Sequence, residues 1–484
     1  MARLARGSFI YGFGSLLNRM IAFLLLPVFT HYLTPADYGI SALIIVFTTL
    51  LNGLFSLGAA ASIGIYYFEA AEGPERAKVI WTTAALLLAN CALLTLLGFV
   101  FSPQLSLWLF KSPDHSYLIR LALVTLSLST LTIPFLAFLQ LEERAKTYVL
   151  FTSVSSLLTL LLSVVTVVYL RHGIAGLFEA SLMGIAVLLA GTVLIAFLRL
   201  KPGLDFSRVW PVIRTGFPSI FGVGAFFFID WSDRLLIERF LGLDELGVYS
   251  IGYSFGMLMS LVVMAFGNAW PPYFISFINK REEAAVLFAG VLKYYVILLG
   301  TVTLALFLLA RPVVITMTAP PFHGAFTIVG LVALSYMLKG CYLIMLPPLV
   351  YEKRLYLQSG IEWVAAGLNV GLNLLLIPVL RKEGAAIATL MAYFSLPLVT
   401  YFVGAMYMRV SYDWKNIAKF AVGFIVLAVW SYFPVTSSPS LSFAISLLSL
   451  ILALLYVLYV PLSSRERAAI FKLLATAKNR LLHS

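Results

Sequence analysis

The chain has 484 residues, of which 61% are hydrophobic and only 11% charged, with a mean hydropathy of +0.99 and a formal net charge of +12. These values lie far outside the range of soluble globular domains. Strand-type alternation is absent, which excludes a β-barrel and leaves a polytopic helical membrane protein.

A helix needs about 20 apolar residues to cross the hydrocarbon. Apolar runs between polar breaks give about 14 predicted spans. In chain order they cover Gly7–Phe29, Ile40–Tyr67, Val79–Phe101, Tyr117–Gln140, Tyr148–Tyr169, Ile174–Phe197 and Phe217–Leu241. The second half continues with Leu246–Ile275, Val286–Ala310, Phe326–Val350, Leu355–Val379, Gly384–Met408, Ile417–Phe433 and Leu441–Val460. Arg3 and Arg6 precede the first run as in a signal sequence, but no small-residue cleavage site closes it, so it is read as a retained helix. The breaks between spans are short, and no soluble domain is expected. From Ser463 onward the apolar stripe Ile470, Leu473, Leu474, Ala477 and Leu481, with basic residues mostly off it, predicts an interfacial amphipathic helix. Ser463 and Glu466 form a candidate capping box for it.

The basic charge is topological. With the N-terminus in the cytoplasm, most of the 33 Lys and Arg fall on the inner side, including Arg76, Lys78, Arg144, Lys146, Arg199 and Lys201. The outer side receives only Lys111, Arg171, Arg239, Arg311, Arg381 and Lys382. This asymmetry predicts a multi-pass protein of the cytoplasmic membrane with both termini inside, and it removes any need for a nucleic-acid partner. Cys91 and Cys341 are isolated within apolar spans and are read as buried small hydrophobes.

The chain repeats itself. His31–Ile40 aligns without gaps on Arg239–Val248, and at the same offset Arg6 falls on Arg214, Phe9 on Phe217 and Phe13-Gly14 on Phe221-Gly222. A unit of six spans inserts twice in the same orientation. The predicted fold is all-α, with two six-helix lobes (residues 1–211 and 212–409) related by a pseudo-two-fold along the membrane normal. Two additional spans (410–461) and the interfacial segment (462–484) follow.

Charges within spans mark the candidate site. Asp230, Asp233 and Arg234 share one broad helical face in an otherwise apolar run. Each costs roughly 2.5–3.5 kcal/mol at bilayer depth, so such groups persist when they pair, line a polar cavity or bind a ligand. Gln358, Glu362, Asn369 and Asn373 form a polar stripe on the eleventh span, read as a cavity wall. Thr152, Ser156, Thr159, Ser163 and Thr166 form its counterpart on the fifth, read as a helix-packing face. Lys293, Arg120 and Glu179 sit nearer span ends and carry less weight. The acids Asp230, Asp233 and Glu362 are candidates for coupling to a proton, sodium or the membrane potential, against the alternative of permanent pairing. No Gly-rich phosphate loop, nucleophile motif or metal-ligand cluster appears, so no cofactor is expected.

Leu26–Glu69 (LPVFTHYLTPADYGISALIIVFTTLLNGLFSLGAAASIGIYYFE) and Asp233–Phe255 (DRLLIERFLGLDELGVYSIGYSF) resemble the openings of the two halves of polysaccharide-transport flippases, the Wzx-type members of the multidrug/oligosaccharidyl-lipid/polysaccharide exporter superfamily. The resemblance rests on Pro27, the Leu33–Gly39 turn, Asp233-Arg234, Gly242 and Leu246–Tyr249. It implies a transporter, not an enzyme, that turns an undecaprenyl-pyrophosphate-linked oligosaccharide from the cytoplasmic to the outer leaflet by alternating access. The partners it implies are that lipid-linked substrate, membrane lipids and the polysaccharide polymerase machinery. Under this resemblance Arg19, Arg234 and Lys339 are the candidates for the pyrophosphate, since guanidinium groups bind phosphate bidentately. For Arg234 the alternative is simple neutralisation of Asp230. Trp231 and Trp363, beside the charged positions, are candidates with Gln358, Asn369 and Asn373 for facing the glycan. The competing functions are a drug or cation exporter of the same superfamily and, from a different class, a membrane glycan polymerase or ligase. Three central cations favour an anionic substrate over the former, and the short outer breaks argue against the latter.

Overall fold

The structure is a computed structural model that describes residues 25–462 except 219, 221–223 and 434–438, together with 464 and 466–468. The predicted first span up to residue 24, with Arg19, and most of the predicted interfacial helix, with Ser463, lie outside the described residues. Among the described residues the regular structure is entirely helical, and ten helices are long and apolar enough to cross a membrane.

The first helices are α1 (Leu26–Thr30), α2 (Pro35–Ser56), α3 (Ala59–Glu69), α4 (Pro74–Val100) and α5 (Ser102–Phe110). They are followed by α6 (Ser116–Leu141), α7 (Ala145–Val164), α8 (Gly173–Arg199) and α9 (Val209–Gly216). Next come α10 (Gly224–Leu241), α11 (Leu243–Gly256), α12 (Leu258–Ile275) and α13 (Arg281–Met317). The chain closes with α14 (Phe326–Met345), α15 (Pro347–Tyr351), α16 (Leu355–Ala405), α17 (Trp414–Trp430) and α18 (Pro439–Tyr459).

Local chemistry explains the boundaries. Thr34 caps α2: its hydroxyl accepts from the Asp37 N–H at 3.2 Å while its own N–H donates to the Asp37 carboxylate at 2.8 Å, with Pro35 at the first turn. The Leu-Thr-Pro-Ala-Asp turn is therefore a capping box. The predicted second span is broken at Leu57 and Gly58, both left-handed, into α2 and α3. Asn90 of α4 donates at 2.9 Å to the carbonyls of both Leu54 and Phe55, the last turn before that break. The predicted eighth span is likewise two helices, α11 and α12. Spans eleven and twelve run as one helical stretch, α16, interrupted only where Arg381 takes φ 55° and ψ −138°.

The chain divides into two compact units, Met1–Gly247 and Val248–Ser484. The division falls later than the repeat boundary near Val212, because α10 packs on α2 of the first unit. The first unit has a core of Ile63, Tyr67, Ile80, Leu87, Phe135 and Phe138, with Ala196 of α8 closing it. Within it, Gly39 of α2 sits against the backbone of Leu243, and Gly247 of α11 against that of Pro35. In the second unit α14 is the central helix, packed by α12, α13 and α16, and α17 and α18 lie on α13.

Candidate functional site

The charged cluster of the first unit lies on α10. Arg234 is buried at 5% exposure and Asp233 at 0%. Arg234 Nη1 donates to Asp233 Oδ1 at 2.8 Å and to the main-chain carbonyl of Asp230 at 2.5 Å, and its guanidinium lies 4.5 Å from the centre of the Trp231 ring. The ion pair thus joins sequence neighbours. The sequence alone leaves Arg234 between binding pyrophosphate and neutralising Asp230; beside Asp233 it also reaches the main-chain carbonyl of Asp230. Near the end of the same helix, buried Glu238 pairs with Lys111 at 2.9 Å. The buried Asp233–Arg234 pair offers little net stability but fixes geometry, since breaking it leaves an uncompensated charge.

The second unit holds the other candidates. Lys339 of α14 is half-buried, with Nζ 5.9 Å from the Tyr336 ring and 5.6 Å from the Tyr393 ring, within cation–π range. Tyr336 precedes it by three residues, so the same helical face carries both. Glu362 of α16 is buried and accepts from the Tyr342 hydroxyl at 2.6 Å and from Gln358 Nε2 at 3.1 Å. Further along, Asn373 Nδ2 donates to Asn369 Oδ1 at 3.0 Å, and Asn369 Nδ2 to Thr389 Oγ1 at 3.4 Å. Both asparagines are fully buried, whereas Trp363 is 46% exposed and Gln358 half-buried. Tyr342 and Thr389 had not been singled out; their only signal is that an isolated hydroxyl in an apolar span must find a partner.

Thr166, a member of the predicted stripe just beyond the end of α7, and Ser155 of α7, outside that stripe, join this segment to α8. Ser155 donates to the Gly184 carbonyl at 2.7 Å and Thr166 to the Gly176 carbonyl at 2.8 Å, where the two glycines let the helices approach. The residues given less weight are engaged locally. Arg120 bonds Ser102 at 2.7 Å, and Glu179 accepts from Tyr117 and from His172. Lys293 binds Glu466 at 2.7 Å and Asp413 at 3.3 Å, so Glu466 serves as an ion-pair partner across the unit.

Comparison with known proteins gives these groups a setting. Residues 4–278, more than half of the chain, match the model of the family described as "Polysaccharide biosynthesis protein". The succinoglycan biosynthesis transport protein ExoT of Rhizobium meliloti (strain 1021) is 25% identical over 65% of this chain and 62% of its own length. The chain thus matches less than two thirds of that relative. The Lsg locus putative protein 1 of Haemophilus influenzae (strain ATCC 51907 / DSM 11121 / KW20 / Rd) is 23% identical over 72% of this chain and 84% of its own. Among solved structures, the lipid II flippase MurJ in an inward closed conformation superposes with a TM-score of 0.73 at 17% identity, covering 93% of this chain and 98% of its own. An inward-facing multidrug-resistance MATE transporter of the MOP superfamily gives 0.61 at 14% identity, covering 80% and 94%. The helical fold is therefore shared with these two transporters, and the chain belongs to the polysaccharide biosynthesis protein family.

Proposed function

We propose that this protein is a flippase that moves an undecaprenyl-pyrophosphate-linked oligosaccharide from the cytoplasmic to the outer leaflet by alternating access, for surface polysaccharide assembly. The observation that carries the reading is the family match over residues 4–278. The chemistry of the chain supports it in three ways. Lys339 keeps an ammonium inside an apolar helix, and Arg234 keeps a guanidinium on α10; with Arg19 they supply cations for a pyrophosphate. Glu362, Asp230 and Asp233 supply carboxylates for coupling to an ion or to the membrane potential. A cavity of about 500 Å³ in the second unit, among α13, α14, α16 and α17, is lined by side chains such as Leu338, Met391, Phe394, Phe420 and Ile425 and suits the hydrocarbon tail of such a substrate.

Gln358, Asn369, Asn373, Trp231 and Trp363 are the side chains offered to the glycan. The domain boundaries at residues 211, 409 and 461, both termini in the cytoplasm and a place in the cytoplasmic membrane beside the polymerase machinery belong to the same proposal. No bond is made or broken in this scheme, so the protein works as a transporter. The test is a leaflet assay in vesicles with a short lipid-pyrophosphate glycan. Protein-dependent appearance of the glycan on the opposite face is the expected result. No movement with several glycans, together with protein-dependent efflux of cationic dyes, overturns the reading in favour of a cation exporter.

A further inference from the structure

Three segments of the first unit that are far apart in sequence meet around one cavity of about 700 Å³. They are the turn into α4 with Arg76, the turn between α6 and α7 with Arg144, and the end of α8 with Arg199 and Lys201. Four cations therefore face two acids, Glu72 and Glu142. Both acids are engaged at the margins. Glu142 accepts from the Tyr67 hydroxyl at 2.6 Å, and Glu72, whose side chain is 86% exposed, lies 3.5 Å from Arg76 Nη1. The Arg76 guanidinium is held over the rings of Tyr67 and Phe68, at 5.2 and 5.6 Å.

The cations retain unused donors. The Nε atoms of Arg76 and Arg144 are buried, and neither donates to an acceptor among the described residues. A buried donor next to surplus positive charge is costly unless an acceptor arrives. Two arginines at one concavity match a ligand that presents several anionic oxygens, because each guanidinium is a planar fork of donors. Counting these residues only as inner-side charge had missed their convergence.

We propose that this cavity is an anion site that takes a phosphate or pyrophosphate group, delivered either on a lipid headgroup or by a free phosphate compound. Its lining includes none of the residues assigned to the flipping site, and its readout is equilibrium binding, so it stands or falls independently of flipping. The full chain is titrated with inorganic pyrophosphate in neutral detergent, and with phosphatidic acid in nanodiscs of zwitterionic lipid. Binding of pyrophosphate in detergent identifies a free phosphate compound as a source; binding confined to phosphatidic acid identifies the headgroup. In either arm R76Q/R144Q weakens binding by about tenfold or more. K415Q, an exposed basic residue of the second unit, leaves it unchanged. E72Q, at an exposed position that does not threaten folding, strengthens binding by removing the acid beside Arg76. Undiminished binding of both probes by R76Q/R144Q, equal weakening by K415Q, or unchanged or weaker affinity in E72Q would overturn the proposal.

Discussion

Gly39 lies against the main-chain carbonyl of Leu243, so closely that a Cβ at position 39 would overlap that oxygen. The relation is reciprocal: Gly247 meets the carbonyl of Pro35 in the same way. In the sequence repeat Gly39 corresponds to Gly247 and Pro35 to Leu243, so the two contacts join equivalent positions of the repeat. Gly39→Ala or Gly247→Ala forces the two helix starts apart. Each is expected to cost about 1–3 kcal/mol by overpacking, read as a fall in the thermal unfolding midpoint in detergent. Gly360→Ala, in a helix with open space around the added carbon, serves as the control and should leave stability level or raise it by up to about 1 kcal/mol.

The Asp233–Arg234 pair separates a structural role from a transport role. Asp233→Ala takes a bonded carboxylate away from a buried guanidinium, and a loss of about 3–5 kcal/mol is expected, seen as low yield of monodisperse protein. The double variant Asp233→Asn, Arg234→Gln removes both charges and should recover most of that yield. If Arg234 also serves the substrate, the double variant folds yet fails the leaflet assay. Normal flipping by it would assign Arg234 to structure alone.

Tyr342 of α14 donates to Glu362 of α16 at 2.6 Å. Tyr342→Phe deletes the donor and leaves the buried carboxylate under-satisfied, at a cost of about 1–3 kcal/mol in thermal unfolding. Glu362→Gln keeps an acceptor for the tyrosine and should fold. Its leaflet activity, measured with and without an imposed proton gradient, tests the coupling role. A response to the gradient equal to that of the unaltered protein would remove Glu362 from that role.

Outside the spans, Asp413 gives a pH signature. The Asn416 side chain, then its backbone N–H and Lys293, hold the Asp413 carboxyl below the ordinary carboxylate range. A depressed folded value contributes stability that is complete above the unfolded pKa, about 3.9. It is lost as pH falls through the lower folded value. Thermal unfolding followed from pH 7 down to pH 3 should therefore show a loss below about pH 4 that Asp413→Asn reduces.

Parts of this arrangement were legible before any coordinates. The interruption at Arg381 and the packing face of α7 follow from short-range chemistry that sequence spacing displays, whereas the cap at Thr34 escapes that reading, in which the second span starts at Ile40. The breaks at Leu57 and Met257 were not legible, because the residues around them are as apolar as a continuous helix requires. Pairing was harder still. Helical periodicity drew attention to Asp230 one turn from Arg234 and gave no signal that the guanidinium also folds over its immediate neighbour Asp233. The Arg76–Arg144–Arg199 cavity escaped for a related reason: its parts belong to helix ends far apart in sequence, and their convergence is tertiary.

The break between α2 and α3 carries a consequence for movement. Bare carbonyls are not tolerated in hydrocarbon, and here one carboxamide, that of Asn90, covers two of them. A passage interrupted in this way is a jointed rod. Its two segments can be steered separately, with α2 following the Gly39 contact and α3 following the core around Tyr67. Changing the angle between them strains two hydrogen bonds from a single side chain and leaves the helical ladders on both sides whole.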